Sequence, residues 1–390
     1  MDTRASDLAE GALAAALAVL TMAGLAVLGV HLIGLDANIP LGYSAAAALA
    51  LAVGGSVSLD GAAGPATRGG DGLPVQIGGD LGVMPLGVSV CGAVVFAGAL
   101  LIPLRARPAP PSLAARAATA LVTFHVCLLV AFLVWRPVGG TLSVAVDIPR
   151  TVLGGSVWTL IVLGLCALSH RVPVPARLAP ARDASRAVVG VLLITVCLGM
   201  LVGVIAGTFG GARVLGTMLL GAPNLVVIAL TRGLGVPWSA HTETSGLLEK
   251  LPPGRMPDLF SAGANVDPGA LRPLEARLWP LALVAGVLLV LCAWRMPREG
   301  GRPVARAAWL AGALAVTFAG ITELAGISVH LSAGVAGFDL FGLRLGISGN
   351  ALLAAAYGAV GGFVASLLTG AARSWHCRHL ESVAAQGHRS

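Results

Sequence analysis

The stretch "LGTMLLGAPNLVVIALT", residues 215–231, has the length of a membrane-spanning helix, yet Gly221, Pro223 and Asn224 interrupt its centre. A helix needs about 20 apolar residues to cross the hydrocarbon core of a bilayer. Proline removes a backbone hydrogen-bond donor, and asparagine is costly in lipid unless it has a partner. Whether this segment crosses the membrane or turns back decides the topology of the whole chain.

The rest of the chain has the composition of a membrane protein. Of its 390 residues, 56% are hydrophobic and only 11% are charged, whereas a soluble domain carries about 25% charged residues. Apolar blocks follow one another along the chain, and the sequence therefore predicts an all-α polytopic membrane protein. The ten blocks are residues 11–34, 41–58, 83–104, 114–135, 151–169, 187–207, 214–231, 278–294, 307–326 and 347–369.

The basic residues are almost all arginines, and Lys250 is the one lysine. The formal charge of +7 would suggest nucleic acid in a soluble protein. Here the arginines cluster beside apolar blocks, a pattern typical of topology signals and of contact with anionic lipids. The sequence carries no nucleic-acid recognition motif, so we expect the bilayer as its partner. The N-terminal "MDTRASDLAE" indicates an uncleaved first helix rather than a signal peptide.

Four arginine clusters predict which loops are cytoplasmic, because short Arg-rich loops stay on that side. They lie at residues 105–116, 171–186 and 295–306 and in the tail after residue 370. Two apolar blocks separate the first cluster from the second, and two separate the third from the tail. Three blocks separate the second cluster from the third, so one of them must fail to cross. The candidate is the block at 214–231, and a kinked crossing helix is the alternative.

The same count applies to the start of the chain, where three blocks precede the first cluster. A cytoplasmic N-terminus requires one of them not to cross, and the short, Ala-rich block at 41–58 is the candidate. The prediction is eight crossing helices plus two re-entrant or broken helices. The protein would be multi-pass in the plasma membrane, with both termini cytoplasmic.

The order of segments also predicts two tandem repeats of like orientation. Residues 1–170 and 187–370 form the repeats, with a basic linker at 171–186 and a tail at 371–390. An inverted arrangement of five plus five crossings, as in many transporters, would put the cluster at 295–306 outside.

Two polar stretches, at 59–82 and 232–277, would lie outside the cytoplasm. The second is expected to form a cap with short helices. Residues 327–348 alternate in polarity, which predicts either a β-hairpin or an irregular loop.

Four residues are candidates for function. Pro223 and Asn224 mark the point where the chain would turn back, and Asn224 would bond the backbone freed by Pro223 or contact a ligand. Glu323 is an acid within a crossing helix, predicted to point into the bundle, or else to reach the outer interface or pair with Arg344. His125 is predicted to make a polar contact with a neighbouring helix, with a proton relay as the alternative.

Small residues recur at four-residue spacing on two helices and predict close helix packing, within the chain or in a homodimer. They are Gly199, Gly203 and Gly207 on one helix and Ala354, Gly358, Gly362, Ser366 and Gly370 on the other.

No motif for catalysis or cofactor binding is present, so the sequence predicts a protein that is not an enzyme and holds no cofactor. Six cysteines occur without a CxxC spacing. His376, Cys377 and His379 stand close together, but an unstructured basic tail is favoured over a metal site there.

Three stretches resemble the streptophobe family of actinobacterial polytopic membrane proteins. They are "GAPNLVVIALTRGLGVPW" (221–238), "LEARLWPLALVAGVLL" (274–289) and "TELAGISVHL" (322–331). The plan is also remotely similar to that of PerM-like cell-division membrane proteins, which share a Pro-Asn-Leu-type segment and a Pro-Leu helix entrance. The resemblance implies a plasma-membrane protein and brings no established activity.

Two functional hypotheses follow. The first is an envelope or division role exerted through membrane-protein partners. The alternative is a transporter or channel for a small solute, with its site between the blocks at 41–58 and 214–231. A polar cavity there would favour transport, and an apolar one would not.

Overall fold

The computed structural model describes residues 3–35, 39–63, 75–106, 113–135, 142–169, 178–246, 279–297, 303–335 and 338–387. These residues form ten helices, and each predicted apolar block overlaps one of them. The helices are α1 (Thr3–Ile33), α2 (Leu41–Ala52), α3 (Leu86–Ala106), α4 (Leu113–Val134), α5 (Ile148–Ser169), α6 (Ala179–Gly210), α7 (Ala212–Gly233), α8 (Trp279–Arg295), α9 (Pro303–Leu324) and α10 (Ala351–Gly387).

Among the described residues, seven helices are long and apolar enough to cross a membrane: α1, α4, α5, α6, α7, α9 and α10. Helix α2, the first part of α3 and helix α8 are shorter apolar helices. Large apolar side chains such as Leu20, Phe209 and Val316 are exposed on the helix surfaces. Such surfaces are unfavourable in water and compatible with lipid. The chain is therefore a mainly helical integral membrane protein of the multi-pass type.

A six-stranded sheet lies at one end of the helices. Its strands are β1 (Val57–Ala63), β2 (Val75–Val83), β3 (Leu142–Val146), β4 (Trp238–Gly246), β5 (Ile327–Val335) and β6 (Phe338–Gly349). They are ordered β3-β1-β2-β5-β6-β4, with every pairing antiparallel. Strands β5 and β6 occupy the stretch whose alternation predicted a hairpin. The central β2–β5 pairing, with Asp80 opposite His330, joins the first half of the chain to the second.

The sheet is amphipathic because successive side chains on a strand point to opposite faces. Leu59, Leu81, Val83, Val144 and Ile327 share the face turned to the helices, where they line one cavity. The other face carries Asp80, His330, Arg344 and Glu243 as directly opposed neighbours on four adjacent strands. The sheet thus covers the helix ends with its apolar face.

Two described arginines of the predicted clusters, Arg186 and Arg373, contact helix segments away from the sheet. The guanidinium of Arg186 donates to the carbonyl of Leu168 near the end of α5. The guanidinium of Arg373 lies over the ring of Trp294, 4.1 Å from its centroid, near the end of α8. No described strand adjoins the end of α5 or the end of α8, so these two arginines and the sheet lie at opposite ends of the described helices.

One backbone arrangement occurs twice, at the exits of α2 and α7. Each helix is followed five residues after its end by a strand, β1 or β4. Gly54 and Gly235 occupy the second position after these helices, with φ angles of 82° and 93°. At both places the next N–H donates to the carbonyl five residues earlier, at 2.9 and 3.0 Å. These are the bonds of a glycine-based helix cap, in which positive φ favours glycine.

A second arrangement also occurs twice, at the entrances of α5 and α10. The side chains of Asp147 and Asn350 each accept the N–H of the third residue onward, at 3.0 Å. Their own N–H groups donate to the residue just before β1 or β4, namely Ser56 at 3.1 Å and Pro237 at 3.4 Å. The two halves of the chain therefore each contain a helix cap, a strand pairing (β1–β3 or β4–β6) and a helix entrance. These features follow one another in the same order along the chain.

Helix α7 runs without interruption through Pro223, so the prediction of a broken helix at this position is wrong. Pro223 has no backbone N–H, so the helix lacks one internal hydrogen bond at this position, and the residue is buried. Near its start, Gly216 packs against Gly29 and Ile33 at the end of α1, and at its end Gly233 packs against Leu281 near the start of α8.

One other prediction needs correction. The tail was expected to be unstructured, but α10 continues to Gly387. The side chains of His376, Cys377 and His379 lie outside the described residues. In the stretch 232–277, where a cap with short helices was predicted, the structure describes the end of α7 and the strand β4. Residues 247–278 lie outside the described part of the chain, so the short helices stay a prediction.

Candidate functional site: an apolar cavity beneath the sheet

A cavity of about 530 Å³ lies between α2, α7 and the apolar face of the sheet. Its volume falls in the range of about 300–1,000 Å³ that is usual for ligand pockets. Residues of the blocks at 41–58 and 214–231 line the cavity, so it lies where the sequence predicted a site. None of the described residues that line it is charged, and leucine, valine, isoleucine and alanine make up most of its wall.

Helix α2 forms one wall and is too short to cross the membrane. Its 12 residues extend for about 18 Å at 1.5 Å per residue, against a hydrocarbon core of about 30 Å. All residues from Ser44 to Ala52 are buried. The small alanine side chains allow this burial because neighbouring backbones can approach closely. The last carbonyl of the helix, that of Ala52, accepts the hydroxyl of Ser89 on α3 at 2.5 Å.

Asn224 lies in the opposite wall, on α7, and is buried. Its Oδ1 accepts the N–H of Leu86 at 3.1 Å, and its Nδ2 donates to the carbonyl of Met84 at 2.9 Å. The first N–H groups of a helix have no partner within that helix, so Asn224 caps α3 from another element. The simpler sequence interpretation, a bond to the backbone freed by Pro223, is wrong.

The other polar groups in the wall differ in how they are satisfied. The hydroxyl of Thr217 donates to the carbonyl of Arg213 at 2.9 Å. Ser44 is only 8% exposed, and its Oγ has no hydrogen-bond partner among the described residues. A buried hydroxyl without a partner is unfavourable by about 1–3 kcal/mol. Ser44 is thus a polar residue of the cavity wall whose hydroxyl has no partner among the described residues. Sequence reasoning missed it, although it is the one hydroxyl in the alanine run.

The cavity reaches the molecular surface beside two leucines. Leu35 and Leu225 line it and are 43% and 52% exposed. Leu28, one turn before the end of α1, is exposed as well. Apolar side chains at the mouth favour an opening toward lipid rather than toward water.

His125 lies away from this cavity and contacts α5. With the hydrogen on Nδ1, the ring donates to the carbonyl of Leu121 at 2.8 Å, and Nε2 accepts the hydroxyl of Ser156 at 2.9 Å. This geometry matches the predicted polar contact between neighbouring helices.

Glu323 also lies apart from the cavity. It is exposed in the last turn of α9, so the prediction that it points into the bundle is wrong. Arg344, its predicted partner at the outer interface, lies 3.8 Å from Glu243 on the neighbouring strand instead. Both members of that pair belong to the polar row of the sheet.

The small-residue faces pack within the chain. A Cβ on Gly203 would lie 2.8 Å from the Cβ of Ala222, and Gly199 and Gly207 face α7 in the same way. On α10, a Cβ on Gly358 would lie 3.0 Å from the carbonyl oxygen of Leu314. Gly362 also faces α9, and Ala354 and Ser366 are buried. A Cβ on Gly370 would lie 3.4 Å from the guanidinium of Arg306 at the start of α9.

A buried ion pair near the N-terminus was not predicted. Arg116, at the start of α4, is 1% exposed and lies 2.6 Å from Asp7 and 2.7 Å from Glu10 on α1. The i, i+3 spacing of the two acids places them on one helix face, which was the available signal. Arg116 therefore joins two helices in addition to carrying loop charge.

The chain matches no known family model, and neither the curated proteins nor the solved structures contain a significant match to it.

Proposed function

We propose that this protein is a non-enzymatic integral protein of the plasma membrane that binds an apolar ligand beneath an extracytoplasmic sheet. The cavity between α2, α7 and the sheet is the observation that carries the proposal. Burial of an apolar surface drives the binding of apolar ligands, and the uncharged wall provides such a surface. The proposal includes membership of the streptophobe family.

The proposed topology has eight crossing helices, with α2 and α7 on the side of the sheet. Three contacts of α7 support it: Gly216 meets the end of α1, Asn224 caps the start of α3, and Gly233 meets the start of α8. The end of α1 leads into α2 and β1, and the start of α3 follows β2, so both of these helix ends lie beside the sheet. The collection of arginines at the opposite end supports cytoplasmic termini.

Two repeats of like orientation form part of the proposal. The recurring caps at Gly54 and Gly235, and the recurring entrances at Asp147 and Asn350, support it. Both copies of the cap and of the entrance adjoin one sheet at one end of the bundle, whereas an inverted repeat would place them at opposite ends.

Transport of an ion or a small polar solute is the less favoured alternative. Such a path needs oxygen or charged groups to replace the water lost by the solute. The side chains of Asn224 and Thr217 are engaged in bonds within the protein, which leaves mainly hydrocarbon in contact with the cavity.

An envelope role through protein partners is compatible with ligand binding. The polar face of the sheet, with Asp80, His330, Arg344 and Glu243 in one row, is the surface we propose for such partners. A mixed row of charges can select a partner by complementary charge.

The test of ligand binding uses a photoactivatable alkane and the full-length protein in nanodiscs. A Cβ at Gly221 would meet no atom within 4 Å, and this residue lines the cavity, so Gly221→Leu is the variant designed to fill the space. Gly286 of α8 is equally open and lies outside the cavity, so Gly286→Leu is the matched control. We expect crosslinks on residues 41–52 and 212–233 that Gly221→Leu removes and Gly286→Leu retains. Equal labelling of all three proteins contradicts the proposal.

A further inference from the structure

We infer, on the basis of the proposed function, that the ligand is a single hydrocarbon chain of a membrane phospholipid. The chain would enter from the leaflet on the side of the sheet, with its ester group at Ser44. The uncharged wall, the residue Ser44 and the position of the mouth each support one part of this inference.

The wall excludes a charged ligand group from the interior. A buried charge needs a partner, and none of the described residues lining the cavity carries one. The headgroup of a charged lipid must therefore stay outside, while a hydrocarbon chain gains from the leucine and valine surface. A phospholipid meets both conditions because its charge and its chains are separate parts of one molecule.

Ser44 supplies the second observation. The residue lines the cavity and is more than nine-tenths buried, and its hydroxyl has no partner among the described residues. A neutral acceptor on the ligand would satisfy it without introducing charge. The ester carbonyl of a glycerolipid is such an acceptor, at the junction between chain and headgroup.

The position of the mouth supports the same ligand. Leu35 and Leu225 flank it on the exposed surface, and the cavity lies between the helix ends and the sheet. In the proposed topology, this is the level at which the bilayer changes from hydrocarbon to polar headgroups. A lipid chain could pass between these two leucines without leaving its own leaflet.

The experiment compares three photoactivatable probes on the full-length protein in nanodiscs: a phosphatidylglycerol with a diazirine on one acyl chain, the corresponding free fatty acid, and the alkane. We expect the phospholipid to label residues 41–52 and 212–233, and unlabelled phospholipid to compete with it. Ser44→Ala should weaken phospholipid labelling about threefold to tenfold, which corresponds to one ordinary hydrogen bond. Alkane labelling should not change in this variant.

The results of this experiment distinguish the lipid inference from the proposed function. If the alkane labels the cavity and the phospholipid does not, the lipid inference is wrong while the proposed function stands. Labelling by the free fatty acid alone also overturns the inference. Absence of all labelling rejects both, and an unchanged phospholipid signal in Ser44→Ala overturns the assignment of Ser44. Gly221→Leu and Gly286→Leu serve as the filled-cavity variant and its control.

Discussion

The side chain of Asn224 accepts the backbone N–H of Leu86 at 3.1 Å, and this bond joins the middle of α7 to the first turn of α3. The two residues are 138 positions apart and lie in different halves of the chain. The same side chain donates to Met84 at 2.9 Å, so both of its polar atoms are used. Asn224 therefore holds one wall of the cavity against the element that follows β2.

Replacement of Asn224 by alanine should destabilise the protein by about 2–4 kcal/mol. The substitution leaves the buried N–H of Leu86 and the carbonyl of Met84 without partners, and each such group costs about 1–3 kcal/mol. The measurement is the melting temperature of the purified protein in one detergent. Asn350→Ala is the control, since this residue is an exposed helix cap whose loss costs about 1 kcal/mol. Equal decreases in melting temperature in the two variants would show that the bonds of Asn224 to Leu86 and Met84 stabilise the protein no more than an exposed helix cap does.

The topology can be tested by cysteine labelling of intact cells in a variant without the six native cysteines. Arg213 is exposed in the first turn of α7, Ser245 is exposed on β4, and Ser374 is exposed in the second half of α10. A membrane-impermeant maleimide should label Arg213→Cys and Ser245→Cys but not Ser374→Cys. This expectation follows from the proposed topology, in which α7 begins and ends on the side of the sheet. Protection of position 213 together with labelling of position 245 would show that α7 crosses.

Alanine at Gly54 or Gly235 should lower stability to a similar extent, about 1–2 kcal/mol for each. Both residues have positive φ, which a side chain with a Cβ resists, and both have room for a methyl group. Gly164→Ala on α5 is the control, because a Cβ there meets no atom within 4 Å in a helical backbone. It should be neutral or slightly stabilising. Thermal unfolding gives the comparison, and a neutral Gly235→Ala would argue against equivalent caps.

Removal of Arg116 should destabilise the protein by about 3–5 kcal/mol, because it leaves buried acids without their cation. Arg116→Gln retains most of the side-chain length, so the effect reports mainly the charge. Arg344 provides the contrast: its pair with Glu243 is 59% and 67% exposed, and such pairs contribute about 0–1 kcal/mol. The melting temperature of Arg116→Gln should therefore fall well below that of Arg344→Gln. Similar values for the two would rule out a structural role for the buried pair.

The sequence by itself determined the class of the protein and the approximate positions of the ten helices that the structure describes. This was possible because hydrophobic length is a local property that each segment carries without its neighbours. The alternation of residues 327–348 was also local, and these residues form β5 and β6.

Only the tertiary structure decided the sheet and the cavity. Strand β2 is rich in glycine, and its partner β5 lies about 250 residues away, so no local pattern identified the pairing. The cap at Leu86 likewise depends on Asn224, which approaches α3 only after α7 packs against it. Ser44 became a candidate because α2 buries it beside an apolar space. Contacts between distant segments create these features, and local composition does not encode which distant segments meet.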